Sequence, residues 1–260
     1  MKKFMIALPI LFIICMPNIS YGVGGISNSK VIVPSADTVP KNRFEVEPFF
    51  SFSAVDDAAD SRNYGFGSRF TYGFLDNLEA GFNLNFLEIE DSDVQDSNSD
   101  FGNIEAGVKY RLIDQTDNFP FSLAYQGGVT FPTAGDDEPW VFEPVGLILT
   151  RNYTDKLSSD LDVVFSFDED DNVAVVSNLG VGYFVSPLLQ PVVEVSYTYE
   201  DPESGSSTEV FNGTVGFTSP VNEMLTIIMG VTYDLYTDNT DEAFTVSAAF
   251  TVSAAFTFLF

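Results

Sequence analysis

The sequence predicts an all-β protein, a transmembrane antiparallel up-and-down β-barrel of about 12 strands. The side chains of the last seventeen residues, 244–260, alternate without a break between an apolar face rich in Phe and a face of small or polar residues. The same alternation recurs from Arg43 onward, and the chain combines 15% aromatic residues with 19 glycines. A period of two is typical of a β-strand. Strands with one oily face throughout the chain indicate a closed barrel in a bacterial outer membrane.

The first residues have the pattern of a secretory leader. Met1-Lys2-Lys3 is positive, an apolar run follows from Phe4 to Met16, and small residues occur at Ser20 and Gly22. The run is too short for a spanning helix of about 20 residues. We therefore predict a signal peptide over residues 1–22, which would also remove the single cysteine, Cys15. Residues 23–41 have no alternation and contain two prolines, so they are expected either to plug the barrel or to lie in the periplasm; residues 42–260 form the barrel.

Twelve segments from Arg43 onward alternate with the period of a strand. Most carry Phe, Tyr, Leu or Val on the face predicted to meet lipid. The sixth has ambiguous parity, and Pro144 or a bulge could shift its phase. The segments cover residues 44–52, 63–74, 78–86, 103–112, 121–131, 140–153, 157–167, 173–185, 193–199, 211–217, 225–235 and 244–260.

The connections between these segments fall into a short class and an acidic class, which alternate along the chain. Short turns belong on the periplasmic side of outer-membrane barrels, and longer loops belong outside. Six acidic connections hold 22 of the 38 carboxylates, so most of the negative charge is expected at the cell surface. They are residues 56–60, 88–100, 136–138, 168–171, 200–203 and 238–242.

Composition excludes several classes of function. The chain has 11 Lys+Arg against 38 Asp+Glu, which disfavours a nucleic-acid partner because phosphate binding needs basic surface. It has no histidine, so serine-histidine catalysis and histidine metal sites are ruled out. Residues 168–172 begin like a calcium loop, but Val173 stands where an EF-hand needs glycine. We predict no enzyme activity, cofactor or built metal site, and leave open loose divalent-ion binding by the surface loops.

Charged residues on the inward faces of the predicted strands are the candidate functional site. Residues two apart on a strand share a face, so pairs such as Asp160 and Asp162 should both point into the lumen. Two interpretations stay open: a selectivity region that narrows the pore, or charge compensation inside the wall. The candidates are Arg43, Glu45, Glu47, Arg69, Glu79, Glu105, Lys109, Arg111, Asp160, Asp162, Glu194 and Asp234.

Several segments together resemble a known family. They are DTVPKNRFEVEP at 37–48, YGFLDNLEAGFNL at 72–84, FGNIEAGVKYRL at 101–112, FSLAYQGGVTFPTAG at 121–135 and PVVEVSYTYE at 191–200. Their order and spacing resemble the outer-membrane barrel family labelled as meta-pathway of phenol degradation, whose members are called transporters. The resemblance implies passage of aromatic or other hydrophobic compounds. It runs over nearly all the mature chain, and the matched positions are Glu79, Glu105, Lys109, Tyr110, Arg111, Pro132, Gly135 and Glu194.

We therefore predict an outer-membrane channel for passive uptake of small molecules, including hydrophobic or aromatic ones, with a negative mouth that concentrates cations. The alternative is a non-transporting surface barrel whose acidic loops serve adhesion or envelope stability. A soluble β-sandwich is a third possibility, and the Phe and Tyr on nearly every strand argue against it. The expected partners are outer-membrane lipid, lipopolysaccharide, a small solute, and the barrel-assembly machinery, which would read the last strand ending at Phe260.

Overall fold

A computed structural model describes residues 23–54, 62–92, 95–133, 139–238 and 251–259. The predicted signal peptide, the acidic connections 56–60 and 136–138, the first half of the repeated tail and Phe260 lie outside the described residues. Within the described ranges, no helix is long and apolar enough to cross a membrane.

The described part of the chain contains thirteen β-strands. In chain order they are β1 (Phe44–Ala54), β2 (Arg62–Leu75), β3 (Leu78–Ser92), β4 (Gln95–Asp100), β5 (Ile104–Ile113), β6 (Ser122–Phe131), β7 (Val141–Asn152), β8 (Leu157–Asp168), β9 (Val173–Tyr183), β10 (Gln190–Asp201), β11 (Thr208–Asn222), β12 (Leu225–Asp238) and β13 (Thr251–Leu259).

Twelve of these strands close into a ring. Apart from β4, every strand pairs antiparallel with its neighbours along the chain, and β13 returns to pair with β1 through Glu45 and Leu259. Strand β4 pairs with β3 alone and stands outside the ring. Closure gives each of the twelve described ring strands a hydrogen-bonding partner on both sides, which is what a sheet surrounded by lipid requires. The predicted all-β, up-and-down antiparallel barrel is confirmed.

The described residues of the acidic connection 88–100, which are 88–92 and 95–100, lie in strands rather than in a loop. Strand β3 continues to Ser92 and pairs with β2 as far as Asp91, and Glu88 pairs with Asp100 of β4. The sequence pattern ended the strand at Phe86 because apolar alternation fades there. Ladder hydrogen bonds join main-chain groups and do not need apolar side chains, so the hairpin extends beyond the oily belt.

The sixth predicted segment, residues 140–153, contains a β-bulge, which agrees with the ambiguous alternation of its side chains. In β7 the pairing with β8 steps from Phe142 to Val145, and the pairing with β6 is interrupted between Gln126 and Gly128. The Tyr125 hydroxyl donates a hydrogen bond to the carbonyl oxygen of Pro144, 2.7 Å away. Proline cannot donate to the ladder, so the strand changes phase at this point.

The two faces of the wall differ in the way the alternation predicts. On β8, Val163 and Phe165 are about two-fifths exposed on the outer face, at 40% and 39%, whereas Asp160 and Asp162 are 1% and 0% exposed on the inner face. Exposed Phe, Leu, Val and Tyr recur on the outside of the neighbouring strands. This outer surface is the belt that meets hydrocarbon.

Residues 23–41, the N-terminal segment, pack against the inner wall before β1 begins. Val23, Ile26 and Ala36 of the segment are buried in one apolar cluster with three wall residues. The wall residues of the cluster are Ala124 on β6, Ile148 on β7 and Val164 on β8. The sequence had left open a position in the lumen or in the periplasm, and these contacts place the described part of the segment against the inside of the barrel.

We expect a charge on the outer belt to destabilise the barrel through loss of contact with hydrocarbon. Val215, 61% exposed at the middle of β11, is the test position, and Met224, 60% exposed in the turn before β12, is the control. Val215→Arg should lower the unfolding free energy by about 2–4 kcal/mol, and Met224→Arg by about 0–1 kcal/mol. Urea titration in lipid vesicles measures both, and equal losses would contradict the assigned membrane face.

Candidate functional site

The candidate site is the set of polar contacts between the N-terminal segment and the inner wall. Three buried carboxylates of the wall, Glu79, Asp160 and Glu194, hold the segment at separate points. Each was predicted to face the lumen, and each is almost fully enclosed in the structure. We call these three contact points the anchors.

The first anchor is an ion pair across β3 and β5. Glu79 and Lys109 are directly opposite in the ladder, their side chains are 0% exposed, and Lys109 Nζ lies 3.1 Å from Glu79 Oε1. Glu79 also accepts hydrogen bonds from the main-chain N–H groups of Ser27 (2.8 Å) and Val39 (2.5 Å). Lys109 donates to the carbonyl oxygens of Ser27 (3.0 Å) and Ser35 (3.1 Å). The pair therefore joins two turns of the segment to the wall.

The second anchor is centred on Asp160 of β8. Its Oδ2 accepts from Lys30 Nζ and, at 2.9 Å, from the hydroxyl of Ser29. Its Oδ1 accepts from the hydroxyl of Thr150 at 2.5 Å, and that hydroxyl oxygen in turn accepts from the main-chain N–H of Ala36 at 2.7 Å. Lys30 and Asp160 are 2% and 1% exposed, so both charges are removed from water together.

The third anchor uses main-chain donors from the segment. Glu194 of β10 accepts from the N–H of Ile32 at 3.0 Å and from the N–H of Val33 at 3.2 Å. A buried carboxylate needs donors, and consecutive N–H groups of an irregular segment can supply them without a basic side chain. This anchor fixes the segment in the middle of its length.

Glycines of the wall provide the room that the segment occupies. A Cβ on Gly107 of β5 would overlap the carbonyl oxygen of Gly24 and come within 2.7 Å of Val23 Cγ1. A Cβ on Gly230 of β12 would come within 2.5 Å of Val31 Cγ1. Both collisions are with the segment, so the inner wall is shaped to fit it.

The other predicted residues divide between the inner wall and the rim. Arg69 pairs with Glu47 at 2.6 Å and lies 3.7 Å from Glu45, a contact within β1 and β2 that does not involve the segment. Asp162 is fully buried and accepts from the side-chain amides of Asn178 (3.2 Å) and Gln126 (3.5 Å).

Four further residues were predicted to face the lumen, and they lie at different places in the structure. Glu105 accepts from the amide of Asn83 at 2.8 Å. Arg111 lies at the rim, where it pairs with Asp37 of the segment at 3.2 Å. Asp234 is half-buried opposite Asn212. Arg43 precedes β1 and is exposed, so the structure does not bring it to the anchors, because the chain becomes a strand only from Phe44.

Sequence reasoning missed the partners that the segment contributes. The sequence around Ser27, Ser29 and Lys30 has no periodicity, so it does not predict which way these side chains point. A signal was nevertheless present, because Lys30 is one of only 11 basic residues in a chain with 38 acids, and it precedes the barrel. The described residues contain no group of three or more His, Cys, Asp or Glu able to hold a metal ion. The site can bind cations and N–H donors, and in the present arrangement the chain's own groups fill it.

We expect the first anchor to be the most costly to break. Lys109→Met leaves Glu79 buried with its main ion-pair partner removed, so the unfolding free energy should fall by about 3–5 kcal/mol. Arg111→Met at the exposed rim should cost about 1 kcal/mol or less. Denaturant titration of the refolded barrel gives both values. The double variant Glu79→Gln/Lys109→Met should lose less than the sum of the single variants, and additive losses would show that the pair is not coupled.

Comparison with solved structures identifies the architecture. The COG4313 outer membrane channel from Pseudomonas putida F1 covers 86% of this chain and 98% of its own, with a TM-score of 0.70 at 14% identity. The NanC porin matches 82% of this chain and 98% of its own, with a TM-score of 0.56 at 7% identity. The β domain of the Bordetella autotransporter BrkA matches 84% and 99%, with a TM-score of 0.53 at 12% identity. At these identities the likeness shows the fold, which is that of barrels in the bacterial outer membrane.

Sequence comparison assigns the family. No protein of curated function matches the chain. The resemblance to an outer-membrane barrel family is confirmed at that level, and the phenol-degradation label stays a prediction. A family model described as a membrane bound beta barrel domain (DUF5777) matches residues 27–255, which include most of the N-terminal segment and nearly the whole barrel. The chain belongs to this family of membrane-bound β-barrels.

Proposed function

We propose that the protein is an outer-membrane channel for small solutes, and that the N-terminal segment holds this channel closed. The observation that carries the proposal is the position of the anchors around the ring. Glu79 lies on β3 and Glu194 on β10, and these strands are six places apart in a ring of twelve. The segment therefore crosses the lumen from one wall to the opposite wall, with Asp160 on β8 between them.

A segment bound across the lumen has to move before a solute can pass. Its contacts with the wall are hydrogen bonds, the ion pairs Lys30–Asp160 and Asp37–Arg111, and one apolar cluster, all of which can break and re-form without covalent change. Channels of this kind interconvert between a closed state and an open state, and the solute or the membrane environment shifts the balance.

Withdrawal of the segment would leave a negatively charged passage. The wall would then present Glu79, Asp160, Asp162 and Glu194, with Lys109 beside Glu79 and with Arg69 beside Glu47. Rings of carboxylates in a pore favour cations, and the acidic connections on the outer side raise their local concentration. Passage of hydrophobic or aromatic compounds, which the family label implies, would use the apolar strip of Ala124, Ile148 and Val164.

We expect a single added methyl group to open the channel. Gly107→Ala collides with the main chain of the segment, whereas a Cβ on Gly213, the control, approaches only wall atoms, the nearest being Leu235 Cδ1 at 3.3 Å. In planar lipid bilayers Gly107→Ala should conduct several-fold more current than the parent protein, and Gly213→Ala should behave like the parent. Deletion of residues 23–36 gives a second open form. If neither the Gly107→Ala protein nor the deletion conducts at any voltage, the channel proposal is wrong.

The open form should prefer cations because its wall is acidic. Reversal potentials in a potassium chloride gradient, measured on Gly107→Ala, should show that preference. Adding Asp160→Asn and Glu194→Gln should weaken it, because two carboxylates are neutralised, whereas Asp37→Asn at the exposed rim should leave it nearly unchanged. Anion preference in the open form would contradict the proposed selectivity.

A further inference from the structure

We propose that the wall around Asp160 is a binding site for primary alkylammonium compounds, and that Lys30 occupies it in the closed channel as an internal stand-in for the solute. The proposal deepens and rests on the proposed channel function, since an external amine reaches this wall when the segment has left it. It names the substrate class: small amines with an apolar body.

The first argument is the bound group itself. Lys30 is a primary ammonium on a four-carbon chain, and it is 2% exposed inside the barrel. Its Nζ pairs with Asp160 Oδ2 and lies 3.4 Å from the hydroxyl oxygen of Ser158. The structure thus shows an alkylammonium in place, with a carboxylate and a hydroxyl as acceptors.

The second argument is the groove for the alkyl chain. A Cβ on Gly180 of β9 would come within 2.9 Å of Lys30 Cδ, so any larger residue there would close the groove. Gly180 pairs with Asp160 on one side and Glu194 on the other. The wall therefore forms a groove, between two carboxylates, that holds the methylene groups of an alkyl chain.

The third argument is the set of acceptors beside the site. Asp162, on the same face of β8 two residues from Asp160, is fully buried, and its Oδ1 has no hydrogen-bond partner in the part of the chain that the structure describes. The same holds for Gln126 Oε1 on β6. An ammonium carries three donors and no acceptor, so a row of surplus acceptors fits it and does not fit an anion.

The fourth argument is the apolar strip that adjoins these acceptors. Ile148 pairs with Asp162 across β7 and β8, and Ala124 pairs with Ile148 across β6 and β7. Val23, Ile26 and Ala36 of the segment cover this strip in the closed form. When the segment leaves, an apolar surface beside two carboxylates is exposed, which is the surface complementary to an amphiphilic amine.

Chemical rescue tests the site without requiring the channel to open. Lys30→Ala removes the side chain and leaves the groove and Asp160 in place, and the exposed Lys41→Ala is the matched control. We expect Lys30→Ala to unfold at lower denaturant concentration and n-butylammonium to reverse this. With a dissociation constant of roughly 1 mM, 10 mM amine should raise the folded-to-unfolded ratio about tenfold.

Three comparisons make the rescue specific. Equal concentrations of n-butanol and of sodium chloride should not rescue, because one lacks the charge and the other lacks the alkyl chain. Lys30→Met fills the groove, so the amine should not rescue it. The double variant Lys30→Ala/Asp160→Asn lacks the carboxylate and should not respond either. Rescue of Lys30→Met or of the double variant to the same extent would overturn the proposal.

A second measurement separates this proposal from the channel function. In the Gly107→Ala barrel, n-butylammonium should reduce the potassium current saturably, and Asp160→Asn should remove the saturable part. If the barrel conducts but shows neither block nor rescue, the amine site is wrong and the channel stands. If rescue succeeds but no variant conducts, the site stands and the channel function is wrong.

Discussion

Hydrocarbon on the outside of the sheet is the constraint from which the rest of this structure follows. A main-chain N–H or C=O without a partner costs several kcal/mol in lipid, so the sheet has to close on itself. The pairing of β13 with β1 achieves this, and it fixes which side of each strand is inside. Because successive side chains alternate, a face of Phe, Val and Leu toward lipid leaves the opposite face of Glu, Asp, Lys and Thr enclosed by the barrel.

The carboxylates enclosed by the barrel then need hydrogen-bond donors. The wall itself supplies some of these donors, through Arg69 with Glu47 and through the amides around Asp162. The N-terminal segment supplies further donors, which are main-chain N–H groups and the Lys30 ammonium. The segment gains a defined position from the same contacts, since an irregular stretch with two prolines has no ladder of its own to hold it.

The contacts between the N-terminal segment and the wall are stable, and other hydrogen-bond donors can replace them. Each anchor carboxylate binds groups that a solute could also offer, and the glycines of the wall leave space in the shape of the segment rather than a filled core. In the mechanism that we propose, no separate gate domain is needed, because the N-terminal segment and the solute compete for the same acceptors. In the channel that we propose, the acidic connections predicted to lie outside and the acidic anchors inside act in the same direction and favour positive charge along the passage.

The sequence alone determined the barrel class, the inward and outward faces, the phase change near Pro144 and the lumen-facing position of Glu79, Lys109, Asp160 and Glu194. All of these depend on a period of two, which is local and can be read residue by residue. The hairpin of β3 and β4 was hidden because its pairing is between main-chain groups and leaves little trace in side-chain pattern. Only the tertiary structure decided where residues 23–41 lie and that Lys30 meets Asp160, which is 130 residues away in the chain. A segment without periodicity carries no directional information, and its position is set by acceptors that come together only when the ring closes.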